Sequence, residues 1–323
     1  MRTSRAAQRA AGSLLCLVLL AACREAPATP PAPVTIRIAT GLPGMTFRPL
    51  GEALAAAYRD VLPHIQFTTV ETEGSVRNVE YVETAKAELG LALADVAYMG
   101  FSGRIGELGA RAGRVRGLAV LHSSTIHVLV APNSSISSLS DLRGRRVGVG
   151  PPGSGTAVTS SILLRAYGVA EDAVDQHTLP FRVAIEALTT GKLDAVFITA
   201  AAQVEVVRQA MVAGSRLLNV TGPVAQRLRV EYPFLQPTTI PPGTYPGQHQ
   251  PVHTLQESVI LICRDDLDDV VVRDITEALF NVLPRLSVSG DFLKLVDVRR
   301  APATPIPLHP GAAWYYRERE LSR

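Results

Sequence analysis

From residue 34 onward the chain alternates short, apolar, strand-like runs with segments of helical period, and glycine punctuates most of the changes. This alternation predicts α/β layers with mostly parallel strands, because each strand returns to the sheet through a covering helix. Strands are expected over residues 34–40, 66–71 and 88–92. Helices are expected over 48–59, where Leu50, Leu54 and Ala57 share one face, and over 75–86. Two further strands, 117–121 and 127–131, complete this first set.

A second set of the same kind begins near residue 132. One helical turn and a glycine occupy 139–144. Strands are expected at 145–150, 176–179, 193–199 and 216–220, and helices at 156–167, 181–190, 203–212 and 223–230. Residues 236–252 are rich in proline and glycine and read as loop. A strand over 254–263 follows, then helices of which 268–286 is the clearest, and a last helix over 310–320 that carries Trp314. Cys263 falls inside an apolar strand pattern, where a buried thiol that packs as a small apolar residue is expected.

The N-terminus has a pattern of its own. Arg2, Arg5 and Arg9 precede an almost wholly apolar stretch, 14–20, which runs into Leu20-Ala21-Ala22-Cys23. A charged head, an apolar run and small residues before a cut mark a secretory signal over 1–22. The run is too short to span a bilayer, which takes about 20 apolar residues. Leu-Ala-Ala-Cys resembles the lipobox of bacterial lipoproteins. That resemblance implies that Cys23 carries acyl chains such as palmitate and anchors the protein to a membrane of the cell envelope, on the periplasmic side. Residues 24–33, Arg-Glu-Ala-Pro-Ala-Thr-Pro-Pro-Ala-Pro, read as a stiff tether. The formal charge is +3, from 32 basic and 29 acidic residues, and the three leader arginines account for the excess. With no basic stripe in the remainder, nucleic acid is not an expected partner.

Glycine-rich turns recur where a strand meets a helix. Gly41-Leu-Pro-Gly44-Met45-Thr46-Phe47-Arg48-Pro49 precedes the first helix, and Gly74-Ser75-Val-Arg-Asn78 opens the second, with Ser75 the expected N-cap. Gly150-Pro-Pro-Gly153-Ser154-Gly155-Thr156 holds the same place in the second set. Such turns leave backbone N–H groups exposed at a helix N-terminus, a site suited to a carboxylate or phosphate. Each alone is explained by turn geometry and capping, but three in equivalent places point to a ligand at the strand ends. Catalysis has no comparable support. No Gly-x-Ser-x-Gly elbow, His-Glu-x-x-His pair, P-loop or dinucleotide fingerprint occurs. His122 and His127 are five apart on or beside one strand, so they point to opposite faces and make a poor metal pair. No metal or cofactor is expected.

Five stretches together resemble the TAXI-type solute-binding proteins of tripartite ATP-independent periplasmic (TRAP) transporters. They are Ile38-Ala-Thr-Gly41 with Gly44-Met-Thr46-Phe-Arg-Pro49-Leu-Gly51, then Thr72-Glu-Gly74-Ser75-Val-Arg-Asn78, then Leu142 through Thr156. Ile240-Pro-Pro-Gly243-Thr-Tyr245-Pro-Gly247-Gln248 is the most specific, and Pro305 through Tyr316 also fits. The resemblance spans about residues 35–318. It implies a bilobed periplasmic-binding-protein-like fold (type II), two α/β lobes with a ligand cleft between them. Lobe 1 would comprise 34–131 and 253–323, and lobe 2 would comprise 132–252, with crossings at 127–132 and about 252–263. It further implies a small anionic or zwitterionic solute, a glutamate-like amino acid or dicarboxylate, passed to TRAP permease subunits after hinge closure. The residues carried over to the solute site are Gly44, Met45, Thr46, Phe47, Arg48, Gly74, Ser75, Asn78, Asp95, Gly153, Ser154, Gly155, Thr156, Thr199, Gln203 and Tyr245.

Several positions depart from the family pattern. Met45 stands where glycine is expected, and Phe47 and Arg48 stand where tyrosines are expected. Leu91-Ala-Leu93-Ala94-Asp95 lacks the polar pair that often precedes the aspartate, and Thr199-Ala-Ala-Ala-Gln203 replaces a Gly-x-Pro-Thr-like stretch. The cleft therefore loses polar contacts near Leu93 and Ala94. Arg48 either gains the cleft a charge or is a solvated helix residue. The alternative function is a lipoprotein of the same fold that feeds a sensor or adaptor. An enzyme ranks third, for want of any nucleophile–base pair.

Overall fold

The computed structural model describes residues 34–105, 113–286, 296 and 299–321. The leader, Cys23 and the tether lie outside them. In chain order the first elements are β1 (Val34–Ala39), α1 (Phe47–Val61), β2 (Ile65–Val70), α2 (Ser75–Glu83), β3 (Leu89–Leu93), α3 (Ala94–Phe101) and β4 (Val115–Val130). Next come β5 (Arg146–Gly148), α4 (Gly155–Ala166), β6 (Asp175–His177), α5 (Phe181–Thr189), β7 (Ala195–Ala200), α6 (Glu205–Val212), β8 (Arg216–Leu217), α7 (Pro223–Glu231) and β9 (Gln236–Ile240). β10 (Val252–Arg264), α8 (Asp269–Val282) and α9 (Pro310–Leu321) end the series.

The strands form one sheet in the order β2-β1-β3-β10-β4-β7-β5-β6, with β9 paired to β10 and β8 to β4. Two long strands make this possible. The first part of β4 pairs with β10, and Thr125–Val130 of the same strand pair with β7. β10 pairs with β9 through Val252–Gln256 and with β3 through Val259–Cys263. β4 and β10 thus run through both lobes, and the cleft lies across their middle. On β4 the change of partner begins at Thr125, ahead of the expected crossing at 127–132.

Four sequence expectations need correction. The strands expected at 117–121 and 127–131 are one strand, because the polar residues Ser123–Thr125 between them stay paired with β10, with a register shift after Ser258. Mostly parallel pairing holds only away from the centre, in β1–β3, β5–β6 and β5–β7. The shared strands pair antiparallel, since β4 leaves the first lobe and β10 returns to it. α3 was missed because 91–101 is apolar on nearly every face and shows no amphipathic period. β9 was missed because it contains Pro237, which an edge strand tolerates.

The cores follow the strand period. In the first lobe Ile36, Ile38, Leu50, Leu54, Tyr58, Phe67 and Val259–Cys263 pack together. In the second lobe Ile126, Val128, Val130 and Phe197 face one side of the sheet, and Leu129, Val196 and Ile198 face the other. Alternation with both faces apolar is what a covered central strand requires. Cys263 is fully buried in β10, as its sequence context predicts. No helix among the described residues is long and apolar enough to cross a membrane.

Candidate functional site

The cavity sits where three helix N-termini meet the middle of β4. It is lined from the first lobe by Gly41, Leu42, Met45, Thr46, Phe47, Glu73, Gly74, Ser75 and Leu93. Ser124 lines it from β4, and Ser154, Gly155, Thr156, Phe181, Thr199 and Ala200 line it from the second lobe. The space open to a water-sized sphere is ≈ 40 Å³, so the lobes are closed on one another.

Glycine allows this closeness. A Cβ on Gly155 would lie 2.4 Å from Leu93 Cδ1 and 2.8 Å from Ser75 Oγ, and one on Gly74 would lie 3.5 Å from Ser154 Cα. Gly74 has φ +128°, open to glycine and costly for other residues. Two hydrogen bonds from backbone N–H groups join the lobes directly. Arg77 N donates to Gly153 O at 3.1 Å, and Ala201 N donates to Thr46 Oγ1 at 3.2 Å.

The hydroxyls around the cavity have their acceptor sides occupied. Thr46 Oγ1 accepts from Ala201, Ser75 Oγ accepts from Leu93 N at 3.1 Å, and Thr156 Oγ1 accepts from Thr199 N at 3.1 Å. None of the three donates to a described residue, so three O–H groups remain to donate into the cavity. Thr199 Oγ1 is buried with no hydrogen-bond partner at all, although the residue is only 8% exposed. Ser154 is different. It caps α4 by accepting from Ala157 N at 3.2 Å and spends its proton on Pro151 O at 2.7 Å. The N-termini of α2 and α4 add unpaired N–H groups and the positive ends of two helix dipoles. Among the described residues no arginine, lysine or histidine lines the cavity, and the one ionisable lining residue, Glu73, is half exposed and paired with Arg77 at 3.4 Å. This is a donor-rich, cation-free site, suited to a small anion or to the carboxylate end of a zwitterion.

Of the residues expected at the solute, Met45, Thr46, Phe47, Gly74, Ser75, Ser154, Gly155, Thr156 and Thr199 line this cavity. The remainder lie elsewhere. Gly44 forms a turn with φ +82°, and Gly153 uses its carbonyl for the Arg77 contact. Arg48 points away, held by Glu52 at 3.0 Å and by Glu71. Asn78 is fully buried. Its Nδ2 donates to Thr40 O at 2.6 Å and Leu91 O at 2.7 Å, and its Oδ1 accepts from Thr72 Oγ1 at 2.5 Å. Ser75 is not the N-cap of α2; Gly74 is, which frees the Ser75 hydroxyl to hold β3. Tyr245 OH donates to His127 Nε2 at 2.8 Å and accepts from Gln203 N at 3.0 Å, pinning the proline–glycine turn to β4. Burial pushes the Tyr245 phenol up to about 12 and the His127 imidazole down to about 4. His127 is therefore neutral, and its Nδ1 faces Ile198 O at 3.3 Å. Asp95 lies behind the wall, against Glu257.

Gly41, Leu42, Glu73, Ser124, Phe181 and Ala200 line the cavity without having been expected there. Ser124 had a signal in the polar break within an otherwise apolar strand. The other five had none beyond adjacency to an expected turn.

This is a bilobed periplasmic-binding-protein-like fold, shared with solved structures at low sequence identity. The alkanesulfonate-binding protein SsuA from Xanthomonas axonopodis pv. citri bound to MOPS matches at 15% identity and TM-score 0.50, over 78% of this chain and 75% of that one. A putative L-cystine ABC transporter from Listeria monocytogenes matches at 13% and 0.51, over 78% and 91%. PhnD1 from Prochlorococcus marinus (MIT 9301) in complex with methylphosphonate matches at 12% and 0.51, over 82% and 89%. At these identities the likeness is one of fold. The chain itself belongs to the NMT1-like family, whose model matches residues 38–319.

Proposed function

We propose that this protein is an extracytoplasmic solute-binding receptor that captures a small carboxylate solute, a glutamate-like amino acid or dicarboxylate, and passes it to a membrane transporter. The lobes, 34–131 with 253–323 and 132–252, close on the solute by a hinge motion in β4 and β10. The observation that carries this reading is the set of hydroxyls on Thr46, Ser75, Thr156 and Thr199, whose protons have no acceptor among the described residues, gathered at the N-termini of α2 and α4. An anion supplies those acceptors, and the two dipole ends stand in for a cationic side chain. The three solved structures of the same fold named above are described by alkanesulfonates, L-cystine and methylphosphonate, all small polar solutes. Delivery to a TAXI-type TRAP permease rests on the turn sequences around Thr46, Ser75, Thr156 and Tyr245, and membrane attachment rests on Cys23. On this reading the protein is not an enzyme.

A thermal-shift screen against amino acids, dicarboxylates, alkylsulfonates and phosphonates tests the assignment. A ligand at 100 times its dissociation constant adds about 2.7 kcal/mol of stability. A saturable shift with a carboxylate class is the expected result. A shift confined to sulfonates or phosphonates would reassign the solute, and no shift with any anion would sink the reading.

Thr199 offers a second test with two opposite signs. Thr199→Val removes a buried hydroxyl that has no partner, and should raise the solute-free stability by about 1 kcal/mol. The same change removes a donor to the bound anion, and should weaken binding by about ten- to a hundredfold. Melting curves and calorimetry on the one variant read both effects. A fall in solute-free stability with unchanged affinity would show that the hydroxyl serves the frame alone.

A further inference from the structure

Behind the cavity wall two acidic side chains meet where no cation among the described residues pairs with them. Asp95, in the first turn of α3, and Glu257, in the middle of β10, are 0% and 1% exposed. Both carboxyl groups are within reach of the Thr159 hydroxyl. Asp95 N also donates to Glu257 Oε2 at 3.3 Å, and Val96 N donates to Asp95 Oδ1 at 2.5 Å. The second lobe reaches this pair through Thr159 of α4. Its Oγ1 lies 3.4 Å from Asp95 Oδ2, 3.2 Å from Glu257 Oε1 and 3.0 Å from Gly155 O. A threonine hydroxyl has one proton, and here three acceptors face it. The contact is satisfied only if one of the carboxyl groups brings a proton of its own.

The surroundings supply no other remedy. From β4, Ser124 stands opposite Glu257 in the register, and the nearest titratable residue on that strand, His122, is itself buried and pushed down to about 4. β3 contributes only Leu91-Ala-Leu93 on its approach. Among the groups that act most strongly on either carboxyl, none is a cation. Burial pushes Asp95 up to about 6, and burial plus the neighbouring Asp95 charge pushes Glu257 well above the usual carboxylate range. The α3 N-terminus and two donors favour the charge on Asp95, which leaves the proton with Glu257.

We propose that closure of the cleft takes up one proton at the Asp95–Glu257 pair, so that the closed form is favoured at low pH and the lobes separate as the pair loses that proton. The second charge cannot remain buried against the first. Opening withdraws Thr159 and α4 and admits water to both carboxylates. The sign follows from linkage. A group that holds a proton in the closed form and releases it in the open form favours closure below its raised pKa and loses that effect as pH rises through it. Solute capture then becomes proton-coupled, with affinity falling by up to about tenfold per pH unit between the ordinary carboxylate range of the open form and the raised range of the closed form, and levelling off above it. This inference rests on the hinge closure proposed above and not on the identity of the solute.

Small-angle X-ray scattering of the solute-free protein between pH 5 and pH 9 tests it. The wild type should expand with rising pH over about two pH units, as for one ionisation. Glu257→Gln keeps a donor in place of the shared proton and should stay compact throughout. Asp95→Asn should do the same and serves if the first variant does not fold. A radius of gyration that is constant with pH in the wild type, or variants that expand as the wild type does, would overturn the proposal. A solute found by thermal shift together with pH-independent scattering would sink the proton coupling and leave the receptor reading standing. Scattering that follows pH in a protein that binds no anion would do the reverse.

Discussion

Gly155→Val should abolish tight solute capture while leaving the solute-free protein as stable as the wild type. Residue 155 is the first residue of α4 and lines the cavity, where its Cα faces the other lobe. A Cβ there would meet Leu93 Cδ1 at 2.4 Å and Ser75 Oγ at 2.8 Å, both across the cleft. Leu93 and Ser75 are themselves buried and bonded to one another through Leu93 N, so neither yields freely. Overpacking of this kind costs about 1–3 kcal/mol for small additions, and a branched side chain adds more. The cost falls on the closed form alone, because in an open cleft the new side chain meets solvent. An affinity loss of about a hundredfold or more is expected, with an unchanged melting temperature in the absence of solute. Calorimetric titration and melting curves check the two halves. Wild-type affinity in this variant would mean that the lobes do not meet at Gly155 when solute is held.

Asn78→Ala should have the opposite profile, a large loss of stability. The Asn78 amide ties three separate segments together: Thr40 at the end of β1, Leu91 in β3 and Thr72 before α2. All of these contacts are buried. Truncation removes three hydrogen bonds and leaves the Leu91 carbonyl without its side-chain donor in a site closed to water. At about 1 kcal/mol per bond, with a further 1–3 kcal/mol for a stranded buried group, a loss of roughly 4–6 kcal/mol follows. That is a large fraction of the ~5–15 kcal/mol that holds an ordinary domain together. Urea denaturation followed by circular dichroism measures it. A loss below about 1 kcal/mol would mean that the amide network contributes little. Asn78 would then be free for the solute role its turn sequence first suggested.

These two residues mark how far the sequence could be read. The turns around Thr46, Ser75 and Thr156 were legible because glycine and small hydroxyl residues at a strand–helix junction follow from backbone geometry. The cavity is made of those turns. Which polar groups face the solute was not legible. A side chain that donates at a helix start serves the chain or the ligand equally well until its partners are known. Asn78, Gln203 and Tyr245 turned out to hold the frame, and Arg48 has its own carboxylates, Glu52 and Glu71. The continuity of β4 was hidden by the same ambiguity. Ser123–Thr125 look like a break in an apolar run, yet they carry the strand past the mouth of the cleft, where Ser124 lines the cavity. Glu257 could not be foreseen as the partner of Asp95, since 162 residues separate the two and neither sits in a motif with the other.

The most direct measurement is a crystal structure of the protein with the anion that gives the largest thermal shift. The account predicts a carboxylate in the cavity, accepting hydrogen bonds from the hydroxyls of Thr46, Ser75, Thr156 and Thr199 and from the N-termini of α2 and α4, with no arginine or lysine in contact. A solute bound instead against Arg104 and Arg300 in the separate groove lined by Tyr98, Tyr232 and Phe234 would contradict it.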